Sequence, residues 1–360
     1  MSISEQLLAL PWLQRVGRGD LDRAARRFSE RRLPPGGVLW DQGQPSTQVG
    51  VLLRGELGVF VDGARVGIVH RGELIGEAAA FFQGVDRSAK VSTREDARVA
   101  LLPVSELASL RAERSPVYEA LLDQALNTLV HRVHATDRRV STAGSGSRAR
   151  PGSEPPVWTK LWRRMVPGKP RGACPPLQPL LRQQIGLAAL DPALLKSIAR
   201  PWRPLELEEG QEVFLEGQPG DAAYLVAEGS IEVVRNVKGD KASLLAELGP
   251  GDLFGANALV DRSARTASCV AARPSWVYRI RARDFEALGG EASLLWRESL
   301  LASFASQIRA ANMALTKAMK VPAPQGGRRG ESPEAFASLV RAHGMLEALP
   351  LAEHSIDLAI

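Results

Sequence analysis

Cysteine is scarce in this chain: Cys174 and Cys269 are the two among 360 residues, and they lie in different segments with neither metal nor redox spacing. That excludes a disulfide-stapled scaffold and a zinc module, and it makes a reducing cytoplasm the expected compartment. Histidine is nearly as sparse, with five residues. His131 and His134 have a spacing that could suit a metal but no third ligand in view, so no metal is expected. No apolar run is long enough to span a bilayer. Residues 1–20 carry Leu7, Leu8, Leu10 and Trp12 but lack the basic start and sustained apolar core of a signal peptide. No nucleophile-base pair, metal cluster or triphosphate-binding loop can be found, so the chain is not expected to be an enzyme.

What the chain does have is length, charge and repetition. Hydrophobic residues make up 44% and charged residues 24%, the balance of a globular protein, and 360 residues suffice for two or three domains. The formal net charge of +6 is unevenly placed. Between residues 137 and 171, Arg138, Arg139, Arg148, Arg150, Lys160, Arg163, Arg164, Lys169 and Arg171 face only Asp137 and Glu154. The excess belongs to a linker rather than to a nucleic-acid surface.

Residues 2–32 read as helical, with Leu21, Ala24, Ala25 and Phe28 on one face. The period then changes to short strands at 38–40, 49–53, 57–61, 66–69, 89–92 and 97–102, with a Gln42-Gly43-Gln44-Pro45 turn and an Asp62-Gly63 hairpin turn. A helical run from 104 to about 139 follows, striped by Val117, Leu121, Leu122, Ala125, Leu129 and Val133. The programme then repeats. A helix at 191–199 leads to Gly217-Gln218-Pro219, a hairpin over 223–234, a Gly251-Asp252-Leu253-Phe254-Gly255 approach, Arg265-Thr266-Ala267, a strand at 275–280 and a helical run from 285 to about 320. Turn, hairpin and helix recurring in one order mark an internal duplication. Many short strands with glycine corners suggest antiparallel barrels or jelly rolls.

One stretch organises each copy. In the first, a strand ending at Ile75 runs into Gly76, a helical turn begins at Glu77 and Ala78, and a loop returns through Arg87, Ser88 and Ala89. Glycine lets a ligand approach the backbone, and an arginine can fork onto an anion. Gly76-Glu77 followed after a short helix by Arg87-Ser88-Ala89 resembles the phosphate-binding cassette of the cyclic nucleotide-binding domain. That module is shared by the bacterial catabolite activator protein and the regulatory subunit of protein kinase A. The resemblance implies that Glu77 holds a ribose 2′-hydroxyl and that Arg87 and Ser88 bind the cyclic phosphate of cAMP or cGMP. It also implies a lid helix over the base. His134 and Thr136 are the candidates there, with exposed helix positions as the other reading. The second copy supplies Gly255, Asn257, Arg265, Thr266 and Ala267, but Ala256 stands where the family has glutamate. Its site is expected to bind a standard cyclic mononucleotide weakly or to serve a structural or altered-ligand role, with Asn257 as a replacement polar group.

The expected architecture is therefore α+β: two cyclic nucleotide-binding domains, each an antiparallel β-barrel or jelly roll flanked by helices. They are placed at 1–139 and 177–320, with a linker at 140–176 and a tail at 321–360. The tail carries a short helix from about 333 and is too short and too little basic for a winged helix-turn-helix, so DNA is not an expected partner. Residues 157–166 form a basic amphipathic segment around Trp158, Leu161, Trp162, Met165 and Val166. Its readings are docking on the protein's own domains, which is favoured, a partner groove, or an anionic membrane. Arg138-Arg139-Val140-Ser141 resembles a basophilic kinase site, and Arg26-Arg27-Phe28-Ser29 spells similarly on an expected buried helix. The function expected is a cytoplasmic cyclic mononucleotide sensor acting on a protein partner whose identity, like a homo-oligomeric state, is left open. The rival is an adaptor that uses both barrels as packing modules.

Overall fold

The computed structural model describes residues 2–77, 81, 86–144, 170, 172–237, 241–320 and 348–349, with backbone alone for 135–144, 236–237, 241–243, 310–320 and 348–349. The amphipathic segment 157–166, the tail helix from 333, Ala78 and the side chains of Thr136 and Ser141 lie outside the described residues. The chain divides into two compact units, Met1–Leu129 and Val130–His354.

The first unit opens with α1 (Ile3–Leu8), capped by Ser2 and Glu5 in a reciprocal box, a 3-10 turn at Pro11–Leu13, and α2 (Arg18–Ala25). The expected helix over 2–32 thus stops early. Ser29–Leu33 is instead the strand β1, whose exposed Ser29, Arg31 and Arg32 give it no apolar run to read. Seven further strands follow: β2 (Val38–Trp40), β3 (Gln48–Arg54), β4 (Leu57–Val61), β5 (Ala64–Val69), β6 (Leu74–Ile75), β7 (Lys90–Ser92) and β8 (Ala97–Pro103). They form two antiparallel sheets in the orders β1-β8-β3-β6 and β2-β7-β4-β5. Leu39, Trp40, Leu52, Leu57, Ile75, Val91, Val99 and Leu101 point between the sheets and make the core. Asp62 and Gly63, both at positive φ, close the β4–β5 hairpin as expected.

After β8 the expected single helix is two. α3 (Val104–Ala112) ends at Arg114, whose φ is 52°, and α4 begins afresh at Pro116 and runs to Gly144. Proline at the first helical position restarts the helix at little cost, because the missing N–H is one that would have had no helical partner. The stripe expected on α4 is buried, from Val117 to Val133.

The second unit repeats the first, strand for strand. After α5 (Leu177–Leu181) and α6 (Pro192–Ala199) come β9 (Arg203–Leu207), β10 (Glu212–Phe214), β11 (Ala222–Glu228), β12 (Ile231–Val237), β13 (Lys241–Leu248), β14 (Leu253–Phe254), α7 (Asn257–Val260), β15 (Ser268–Ala271), β16 (Ser275–Arg281), α8 (Ala282–Glu286) and α9 (Gly290–Lys320). The sheets run β10-β15-β12-β13 and β17-β14-β11-β16-β9, where the added edge strand β17 is Ala348–Leu349. β17 pairs with β14, Leu349 opposite Leu253 and Ala348 opposite Phe254, a pairing the sequence reading did not foresee. Even the irregularities recur. The register slips between Val38 and Trp40 in β2 and between Glu212 and Phe214 in β10, and again between Leu52 and Arg54 in β3 and between Val226 and Glu228 in β11. Among the described residues no helix is long and apolar enough to cross a membrane.

Candidate functional site

In the first unit, the turn 42–45 and the loop entering Arg87 hold each other by backbone hydrogen bonds. Gly43 N–H donates to Arg87 O at 2.8 Å, and Arg87 N–H donates to Gln44 O at 2.8 Å. The Gly-Gln-Pro turn therefore fixes where the arginine leaves the chain. Arg87 is 4% exposed, and its side chain folds inward, with Cζ 3.7 Å from the centre of the Trp40 ring. Nη1 donates to Gly76 O at 3.4 Å and Nη2 to Gln48 O. Gly76 has a φ of 77°, and a Cβ there would stand 2.1 Å from Arg87 Nη1 and 2.9 Å from Trp40. Only glycine allows the backbone to pass so close to the cation.

Glu77 is 0% exposed. Burial lowers the Arg87 pKa to about 10, and the nearby Glu77 carboxylate works against that fall. The guanidinium is charged at neutral pH, so a buried cation and a buried anion share one cradle. Ser88 is exposed beside Arg87, and Ala89 is half-buried. Phe81, also from the cassette, packs on Tyr118 of α4 with ring centres 5.9 Å apart. This arrangement can receive a phosphate through the guanidinium and hydroxyl donors through the carboxylate.

The second unit rebuilds half of it. Gly217 N–H donates to Arg265 O at 2.8 Å and Arg265 N–H to Gln218 O at 2.9 Å. The Arg265 guanidinium, 7% exposed, lies 4.0 Å from the Phe214 ring centre and donates to Gly255 O at 3.0 Å and Ala222 O at 2.7 Å. Ala256 is buried where Glu77 stands in the first unit, and Asn257 and Thr266 are half-buried at the rim of the same pocket, with Ala267 in the core beneath.

His134 requires a correction. It was a candidate for the base in the first site, but it lies in the second unit. There Nε2 is 3.1 Å from Asp261 Oδ2 and 3.1 Å from Ser263 Oγ, on the wall of the second pocket. α4 is long enough to carry His134 five residues past the end of the first unit. Burial raises the Asp261 pKa, but hydrogen bonds from His134 and Ser263 outweigh it and hold the carboxyl below its usual value.

Trp40 and Phe214 were missed as site residues. The signal was available: an aromatic residue stands three positions before the turn glycine in both copies, Trp40 before Gly43 and Phe214 before Gly217.

A family model described as the cyclic nucleotide-binding domain matches residues 30–114 and 204–291. The chain is similar to the cyclic AMP receptor protein of Thermus thermophilus, 36% identical over 107 residues, covering 30% of this chain and 49% of that one. It is also similar to a CRP-like cAMP-activated global transcriptional regulator of Mycobacterium tuberculosis, 30% identical over 79 residues, covering 22% and 35%. The chain thus spans half or less of the length of these curated relatives. Among solved structures, the regulatory domain of Toxoplasma gondii PKA with cAMP aligns over 82% of this chain and 94% of its own, at 16% identity and a TM-score of 0.30. With the match falling twice, on two barrels that share strand order, bulges and arginine clamp, the chain carries two cyclic nucleotide-binding domains in tandem.

Proposed function

We propose that this protein is a cytoplasmic sensor of a cyclic mononucleotide, cAMP or cGMP, bound in the first barrel and without catalytic activity of its own. The observation that carries the reading is the buried pair: Arg87, charged and folded on Trp40, with Glu77 fully enclosed beside it. A cyclic phosphate is a monoanion that the guanidinium can bind bidentately, and the sugar hydroxyl beside it donates to a carboxylate. The names of the relatives, a cyclic AMP receptor and a cAMP-activated regulator, support cAMP as the first ligand to try. Occupancy would pull Arg87 away from Gly76 O and Gln48 O. The cassette would then shift against Tyr118 on α4, and that movement, passed to linker or tail, would regulate a protein partner.

Isothermal titration of cAMP and cGMP into the full chain tests the reading. The expected result is saturable binding that Arg87→Ala weakens roughly tenfold to a hundredfold, the scale of a lost charged hydrogen bond of about 1.5–3 kcal/mol. Arg87→Lys keeps the charge and serves where the alanine variant folds poorly. No binding by the wild type, or equal binding by all three proteins, overturns the proposal. A second reading, in which a barrel is an adaptor module, is favoured at one place only, by Ala256 in the second barrel.

A further inference from the structure

We infer that the second barrel holds an anion site that does not read the ribose 2′-hydroxyl, suited to a nucleotide phosphate whose 2′ position is of no consequence. The inference rests on the reading of the first barrel as a cyclic nucleotide site, because the two pockets are compared position by position.

The anion half of the second site is intact. Arg265 repeats Arg87 in its backbone clamp, its aromatic shelf and its two carbonyl acceptors. A Cβ on Gly255 would lie 2.6 Å from Arg265 Nη1, so the close approach of backbone to cation is kept as well. A guanidinium is a costly group to bury, and apolar replacements of buried ions are often neutral or stabilising. Arg265 satisfies two backbone carbonyls, and an anion would meet the same buried charge directly.

The hydroxyl half is gone. Ala256 is 3% exposed and offers a methyl group where the first barrel offers a carboxylate. Between Arg265 and α9 lies a cavity of about 20 Å³, lined also by His134, Asn257, Phe304 and Gln307. That is room for about one water molecule, so the pocket stands closed around its own side chains. A nucleotide enters by lifting the guanidinium from Gly255 O and by parting His134 from Asp261 and Ser263. Phe304 then offers a face to a heterocycle, and the Asn257 and Gln307 amides offer donors and acceptors to its edge. Position 256, which stands where Glu77 does, offers no acceptor at all, so the charged hydrogen bond that would favour a 2′-hydroxyl over a 2′-hydrogen is absent.

The test is equilibrium binding of cAMP and 2′-deoxy-cAMP to the full chain, in Arg265→Ala, which leaves the first site, and in Arg87→Ala, which leaves the second. Arg265→Ala is expected to prefer cAMP roughly tenfold or more, the effect of losing a hydrogen bond to a charged group. Arg87→Ala is expected to bind both nucleotides within about twofold of each other, the spread expected when no such bond is made. Adding Ala256→Glu to Arg87→Ala is expected to create a tenfold preference for cAMP. Where the new buried carboxylate unfolds the barrel, Ala256→Gln supplies an uncharged acceptor and a smaller preference of the same sign. Binding by Arg265→Ala with none by Arg87→Ala overturns the inference and leaves the proposed function standing. A cAMP preference in Arg87→Ala overturns it too. No binding of either nucleotide by the wild type removes both.

Discussion

The guanidinium of Arg87 lies 3.7 Å from the centre of the Trp40 ring, and both groups lie against the backbone of Gly76. Trp40 follows a register slip in β2 after Val38, and the same slip precedes Phe214 in β10. The ring holds the guanidinium at the cassette alongside its bonds to Gly76 O and Gln48 O.

Replacing Trp40 with leucine is therefore expected to separate two effects. Stability falls by about 2–4 kcal/mol for the lost ring volume in the core. Affinity for a cyclic nucleotide falls a further few-fold, because a cation–π contact is worth about 0.5–2 kcal/mol. Trp40→Phe restores most of the affinity and part of the stability. Urea unfolding and titration calorimetry on the same preparations report the two separately.

Gly76→Ala is expected to be the more damaging change for its size. The added methyl meets Arg87 Nη1 and Trp40 at sub-van der Waals distances, on a backbone with φ of 77°. A loss of about 1–3 kcal/mol in stability follows from the backbone alone, and the displaced guanidinium should weaken nucleotide binding as well. A variant that unfolds and binds as the wild type does contradicts the geometry described for the cradle.

Binding at the first site is expected to be flat in pH between roughly 6 and 9 and to weaken as pH rises through about 10, where Arg87 loses its proton. The sign for stability is opposite. Burial disfavours the charged guanidinium, so the folded state binds fewer protons than the unfolded chain above pH 10, and Arg87 favours folding increasingly as pH rises. Measured across that range, Arg87→Ala should bind more weakly throughout, and its profile should lack the wild type's alkaline limb.

Asp261 gives a contrasting prediction at acid pH. Its carboxyl is held below its ordinary value by His134 and Ser263 despite burial. Its contribution to stability is therefore complete above the unfolded value, about 3.9, and is lost as pH falls through the lower folded value. Thermal unfolding of Asp261→Asn should show a deficit relative to wild type near neutrality that narrows in acid. A deficit that stays constant with pH would mean that Asp261 acts through packing alone.

The repeat, the Asp62-Gly63 hairpin and the arginine positions were legible because each depends on a local signal, whereas the hairpin expected over 223–234 does not form: β11 pairs with β14 and β16, and β12 with β13 and β15. Glycine marks the turns at Gly43 and Gly217, Asp62-Gly63 spells a hairpin, and the spacing from Gly76 to Arg87 sits between two strands. β1 and β9 were not legible. Ser29–Leu33 and Arg203–Leu207 are outer strands, each paired on one side only to β8 or β16, so their sequences carry charge or proline rather than an apolar alternation. His134 was misplaced for a different reason. Helical periodicity gives the face of a residue but not which neighbour a helix of 29 residues meets near its end. Trp40 was overlooked because an aromatic in an apolar strand looks like core, and it is core as well as shelf.

The two arginines are held at their roots by main-chain bonds from the Gly-Gln-Pro turns, which do not depend on the side chain at position 77 or 256. A gene duplication that inherits such a clamp can change its chemical taste with one codon and leave the protein folded throughout. The pair of barrels thus sets the same scaffold of turn and arginine beside a carboxylate in one copy and a methyl group in the other.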